Sequence, residues 1–240
     1  MDKPVISRKW LGAAASIAFV AGFAACEQKP AKLAFVTQPG GANGGSAFAS
    51  QPAVEIQDKN GKKVEKATLE VTLALGANPA GATLSGSAAT AAAGGTASFA
   101  GLSIDKAGTG YTLVASAPNL QSAESAAFDV AVDTGVKLAL AGAAPAESKT
   151  GETWPAIAVQ ILDAGGNLVT GATDPVEIKL ATGTGALKGT LSQVPAGGVA
   201  TFSDLSYDKA ETITVDIVSG QLAGVTGTSI NVAAGGKKKK

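Results

Sequence analysis

Side chains able to do chemistry are few and scattered along this chain. Among its 240 residues there is no histidine, which excludes a Ser-His-Asp triad, a histidine-held zinc and a near-neutral general base of the usual kind. Paired carboxylates remain. Asp105 and Asp208 stand in a repeated Leu-Ser-Ile/Tyr-Asp-Lys-Ala block, one in each copy. An Asp that ends a strand is expected to cap the turn that follows rather than to move protons. Asp58-Lys59-Asn60-Gly61 begins like a calcium loop, but the twelfth position counted from Asp58 is Leu69, where an EF-hand needs a carboxylate. The stretch reads instead as a tight hairpin, since Asn60 and Gly61 both tolerate positive φ. Gly183-Thr184-Gly185 suggests a phosphate loop, yet the adjacent lysine precedes its glycine in Lys188-Gly189-Thr190, the reverse of the motif. Neither a cofactor nor a metal is expected. Trp154 and Tyr207 are the candidate aromatic contacts for a glycan or a protein, with packing in a core or at a rim as the plainer role. Cys26 is the only cysteine, so no intrachain disulfide can form.

The surroundings of Cys26 give it a different chemistry. Met1 to Trp10 carries Lys3, Arg8 and Lys9, and the apolar run Leu11 to Ala25 is shorter than the roughly 20 residues of a comfortable span. Residues 1–25 therefore read as a secretory signal. Its end, Phe23-Ala24-Ala25-Cys26, resembles a bacterial lipobox, with Phe23 where Leu is usual. The resemblance implies cleavage before Cys26 and lipidation of that residue. The competing readings are a leftover thiol in an uncleaved helix and ordinary cleavage near Ala24 without lipid. Residues 26–30 are then a lipidated tether, and the five residues that lead from Cys26 into the first domain, Glu27 to Ala31, reach at most about 17 Å.

Positioning falls to a fold written twice. Residues 94–107 and 197–210 are identical at nine of fourteen positions, and in both copies the apolar alternation slips by one after Phe99 or Phe202, to Leu102 or Leu205. A bent β-strand behaves in this way. Outward from the block, Lys32-Leu33-Ala34-Phe35 answers Lys137-Leu138-Ala139-Leu140 and Ala53 to Asp58 answers Ala158 to Asp163, both at an offset of 105. Beyond the Gly/Ala/Thr-rich loops the offset falls to 103 and then 102. The expectation is two copies of one domain, 31–132 and 135–235, joined by Asp133-Thr134. Period-two reading assigns Leu33, Phe35, Val54, Ile56, Leu69, Val71, Leu73, Leu75, Phe99, Tyr111, Leu113, Phe128 and Val130 to the first core. The second core takes Leu138, Leu140, Val159, Ile161, Val176, Ile178, Leu180, Phe202, Ile213, Val215, Ile230 and Val232.

Short bursts of Val, Ile and Thr between Gly, Asn, Asp and Pro indicate an all-β sandwich class. Lys32 to Pro39, Gln51 to Asp58 and Gly101 to Tyr111 together resemble the bacterial immunoglobulin-like repeats of invasin- and adhesin-type surface proteins. That resemblance implies two tandem Greek-key sandwiches of seven strands, display outside the cytoplasm, and no catalytic residues. The expected function is a non-catalytic structural or adhesive module of the cell envelope, exported and lipid-anchored through Cys26 at the outer membrane or cell surface. A ligand- or glycan-binding accessory subunit of an envelope or export complex is the alternative. Residues 26–236 hold 12 Lys against 18 Asp and Glu, a net of −6, so no nucleic-acid partner is expected. The basic tail, residues 236–240 with Lys237, Lys238, Lys239 and Lys240, is a candidate contact for an anionic envelope polymer or an acidic partner.

Overall fold

The computed structural model describes residues 28–235, and every regular element in that span is a strand. The first half holds β1 (Lys32–Thr37), β2 (Ala42–Asn43), β3 (Ala53–Gln57), β4 (Glu70–Leu75), β5 (Leu84–Ser85), β6 (Ala89–Ala91), β7 (Thr96–Ser98), β8 (Ser103–Ile104), β9 (Gly108–Tyr111), β10 (Leu113–Ser116), β11 (Ala123–Glu124) and β12 (Phe128–Ala131). The second half holds β13 (Lys137–Leu140), β14 (Glu147–Lys149), β15 (Ile157–Leu162), β16 (Val176–Thr182), β17 (Leu187–Lys188), β18 (Ser192–Gln193), β19 (Val199–Phe202), β20 (Ser206–Tyr207), β21 (Glu211–Val218) and β22 (Val225–Ala233).

Each half is an immunoglobulin-like sandwich. Sheet β1-β3-β7 faces β11-β10-β4-β6 in the first, and β13-β15-β19 faces β14-β22-β21-β16-β18 in the second. Strands adjacent in sequence, such as β3 and β4, lie in different sheets, as Greek-key connections require. Register repeats with the sequence. Leu33 pairs with Ile56 and Leu138 with Ile161, each partner displaced by 105.

The two halves differ in one ladder. The long strand β21 of the second half is split in the first at Thr112, whose Oγ1 and carbonyl accept the N–H groups of Ala77 and Gly76 at 2.7 and 2.9 Å. Residues of the split strand therefore divide between β9, paired to β12, and β10, paired to β4. Glycines and such side-chain bonds cut the ladders into more pieces than seven strands per sandwich.

The bent block behaves as its alternation predicts. β7 pairs with β3, and after Gly101, at φ 70°, β8 pairs with β5 instead. Ala97, Phe99, Leu102 and Ile104 are all buried, because the slip lets both segments turn apolar side chains inward. The Gly-Gly pair opening each block is a two-residue hairpin turn with φ of 58° and 75° at Gly94 and Gly95, and of 58° and 82° at Gly197 and Gly198. Positive φ at both positions suits the type I′ turn, which only such residues adopt cheaply.

Burial falls into two clusters, one running from Leu33 to Val130 and the other from Leu138 to Val232. Leu69 departs from its expected core position and is 36% exposed. The chain joins β4 only at Glu70, and Val64 and Ala67 of the preceding turn enter the core there instead.

Candidate functional site

The structure answers each candidate in turn. Asp105 accepts the N–H of Thr83 at 2.6 Å, and Asp208 accepts that of Ala186 at 2.7 Å. Both are caps, but on a loop that precedes them by about a strand pair, so the expected partner in the following turn is corrected. Asp58 Oδ1 accepts from the N–H groups of Asn60 and Lys62 at 2.8 and 2.9 Å, and Gly61, at φ 82°, completes a three-residue turn. Asn60 keeps negative φ, contrary to the two-residue turn the dipeptide suggests, because the Asp58 side chain closes the loop.

Gly183-Thr184-Gly185 does form a nest of backbone donors, and an internal anion fills it. Glu211 Oε1 accepts the N–H groups of Thr184 and Gly185 at 2.7 and 3.0 Å, and the Tyr207 hydroxyl donates to it at 2.7 Å. These bonds, led by the Thr184 N–H, hold the Glu211 carboxyl down at about 2. Burial pushes the Tyr207 phenol up, and its hydrogen bond to Glu211 adds to the shift. Among the described residues no three carboxylates converge as metal ligands would.

Trp154 and Tyr207 are corrected as ligand contacts, since the fold leaves them 3% and 0% exposed. Trp154 has a counterpart that the sequence alignment does not reveal. Its backbone N–H donates to Leu205 O at 2.7 Å, as that of Phe48 donates to Leu102 O at 2.9 Å, and Phe48 is equally buried. Cys26 and Lys237 to Lys240 lie outside the described residues.

A further polar network joins the two halves and was not singled out by the sequence. The ladder between β15 and the Leu168 bridge carries a turn from Asp163 to Asn167, the repeat of the Asp58 turn. Asp163 is fully buried. Its carboxylate accepts the Asn167 N–H at 2.8 Å, the Asn167 amide Nδ2 at 3.0 and 3.1 Å, and the Asp133 N–H at 3.1 Å. Held in this way, Asn167 reaches across: Nδ2 donates to Asp105 O at 2.7 Å and Oδ1 accepts the Ala107 N–H at 3.0 Å. Lys106 Nζ donates to Gly165 O at 3.2 Å. On the facing loop Ser46 Oγ donates to Asp133 Oδ2, and that bond, with the Thr134 N–H, holds the Asp133 carboxyl below its ordinary range.

Glycine makes this approach sterically feasible. A Cβ on Gly165 would collide with Asp105 O, and one on Gly44 would collide with Asn167 Nδ2 and sit 2.7 Å from Asp163 Oδ2. The outer ends lack these features. The first-half turn has Asn60 and Lys62 where the seam has Gly165 and Asn167. At the far end of the second half Thr150, whose N–H donates to Ala233 O at 2.9 Å, stands where Gly44 donates to Ala131 O at 2.8 Å. The difference between copies at these positions was the available signal for the seam.

No family model and no curated protein sequence matches the chain. Among solved structures, a β-glycosidase from Bacteroides vulgatus is similar over 85% of this chain at 12% identity and a TM-score of 0.37, and the match spans 25% of that protein's length. The D00-D0 domain of intimin is similar over 84% of this chain and 99% of its own, at 15% identity and a TM-score of 0.41. Fibronectin(III)-like modules of Clostridium thermocellum CbhA cover 84% of this chain and 93% of their own at 15% identity and a TM-score of 0.25. The fold assignment rests on the ladders and cores described above.

Proposed function

We propose that this chain is an exported, membrane-anchored lipoprotein of the bacterial envelope or surface, held by lipid on Cys26 and serving as a non-catalytic structural or adhesive module. One observation carries the non-catalytic part of the reading: the carboxylates and rings singled out as candidates are engaged in holding the fold. Asp58, Asp105, Asp163, Asp208 and Glu211 each accept backbone N–H groups, and Trp154 and Tyr207 are enclosed. What remains for partners is outer surface on two sandwiches linked by a polar seam, which suits spacing or adhesion. The glycan-binding alternative drew on Trp154 and Tyr207, and their burial removes its two ring faces.

The anchor is tested in the native host by fractionation with lipid mass spectrometry. A membrane-bound peptide beginning at acylated Cys26, and loss of that acylation and processing in Cys26→Ala, are the expected results. A Cys26→Ala variant that is still membrane-bound and equally processed overturns the anchor.

A further inference from the structure

The lysines of the described chain are unevenly placed. Lys29, Lys32, Lys59, Lys62, Lys63 and Lys66 all belong to the first 70 residues, and the fold gathers their segments at the end of the first sandwich where the chain enters, with the N–H groups of Ala31 and Val64 donating to Gln57 O and Ile56 O. Lys32 opens β1 opposite Gln57, the last residue before the Asp58 turn, and a Cβ on Gly61 of that turn would lie 3.6 Å from Lys32 Nζ. Lys63 bridges back to Gln57, and Lys29, Lys59, Lys62 and Lys66 are exposed.

The carboxylates at this end are few. Asp58 is engaged by its own turn, Glu55 pairs with Lys63 at 3.8 Å, and Glu65 and Glu70 are exposed. The remainder, residues 71–235, carries six lysines against thirteen carboxylates. The molecule is thus basic at its entry end and acidic over the rest.

We infer that the entry end of the first sandwich, with Lys29, Lys32, Lys59, Lys62 and Lys66 at its rim, docks on the anionic phospholipid headgroups of the membrane that holds the tether. This rests on the reading of Cys26 as the anchor. The tether of five residues places this end within about 17 Å of the attachment point. Charges within a Debye length of about 8 Å feel the surface little screened. Each lysine so placed adds about fivefold in affinity, while the acidic remainder is repelled and kept off the surface. The lipid supplies attachment and the lysines supply orientation.

The test uses the chain from residue 26 onward carrying Cys26→Ser, so that no acyl group contributes. It is sedimented with vesicles of equimolar phosphatidylglycerol and phosphatidylcholine, and with vesicles of phosphatidylcholine alone. Binding to the anionic vesicles that weakens with salt is expected. Lys59→Gln, Lys62→Gln and Lys66→Gln together should weaken it on the order of a hundredfold, and the corresponding Glu variants should weaken it by more. Thermal melting shows whether each variant is folded, and the Gln set decides the matter if the Glu set is not. Removal of Lys237 to Lys240 should leave the loss caused by the lysine substitutions in place. Equal binding by the variants, binding to neutral vesicles, disappearance of that loss once the tail is removed, or tighter binding to soluble polyglutamate than to anionic vesicles overturns the inference. Because no acyl group is present, failure here leaves the Cys26 anchor standing, and failure of Cys26 acylation in cells does not alter the vesicle result.

Discussion

Asn167 Nδ2 donates to the backbone carbonyl of Asp105 at 2.7 Å while its Oδ1 accepts the N–H of Ala107 at 3.0 Å, so one amide satisfies a donor and an acceptor on the opposite sandwich. Asp163 beneath it accepts from the same amide and fixes which way it faces. Lysine at the equivalent Lys62 cannot do this, having donors and no acceptor. The seam turn differs from its repeat at three positions, with Ala164 for Lys59, Gly165 for Asn60 and Asn167 for Lys62, and the last two make the joint.

Asn167→Ala should leave the Asp105 carbonyl and Ala107 N–H without their partner and orphan part of buried Asp163. A cost of about 1–3 kcal/mol is expected. Gly165→Ala should push the halves apart, because its Cβ meets Asp105 O. Small-angle scattering and interdomain residual dipolar couplings would register a wider range of orientations in both variants. Unchanged couplings would mean that the seam does not set the arrangement.

Acid should loosen the Gly183–Gly185 loop through Glu211. Its folded pKa, at about 2, lies below the ordinary 4.5, so its contribution to stability is fully present above 4.5 and is lost as pH falls toward 2. Glu211→Gln should flatten the pH dependence of melting in that window while leaving it unchanged near neutrality. A wild-type slope retained in the variant would assign the acid sensitivity to other carboxylates.

Trp154 and Phe48 hold the same place in their two cores, which makes an asymmetric prediction. Trp154 Nε1 is buried without a hydrogen-bond partner, so Trp154→Phe removes an orphaned donor while vacating only part of the ring volume. It should cost under about 1.5 kcal/mol, whereas Trp154→Ala should cost about 3–5 kcal/mol. Chemical denaturation of both variants decides it. Equal losses would show that the indole has a role that phenylalanine cannot fill.

Much of the fold was legible because strands write their faces into alternate residues. Val54, Ile56, Val159 and Ile161 could be assigned from period two alone, and the bent block from its slip at Leu102 and Leu205. Leu69 misled, since alternation cannot say where a ladder begins. Tyr207 misled for another reason. It stands where the first copy has Ile104, and the first copy's tyrosine, Tyr111, stands where the second has Ile213. Each core thus takes one tyrosine from a different strand, and its hydroxyl bonds to Lys106 O in one half and to Glu211 in the other. Only packing shows such an exchange. The seam was hidden because Asn167 acts on residues about 60 positions away, across a junction that local pattern does not describe.

The last prediction concerns the independence of the halves. Residues 31–132 and 135–235 each contain a cluster of buried side chains that includes a large aromatic, Phe99 or Phe202, and no strand ladder crosses between the clusters among the described residues. The bonds that do cross are polar and confined to one turn, one linker and the loops facing them, so they add to two separate cores rather than completing one. Each segment expressed alone should give β-type circular dichroism and a cooperative melt. The second should lose more than the first. Its Asp163 loses the Asp133 N–H and is exposed at the broken seam, whereas the first segment's exposed carbonyl at Asp105 is readily hydrated. Phe99→Ala and Phe202→Ala, each costing about 3–5 kcal/mol, should then unfold only the sandwich that contains them within the joined chain. Calorimetry of the two joined variants would show one transition shifted and the other in place. A single transition that moves as a unit would mean that the seam couples the halves into one cooperative core, and that the polar bonds around Asn167 carry far more of the stability than their number implies.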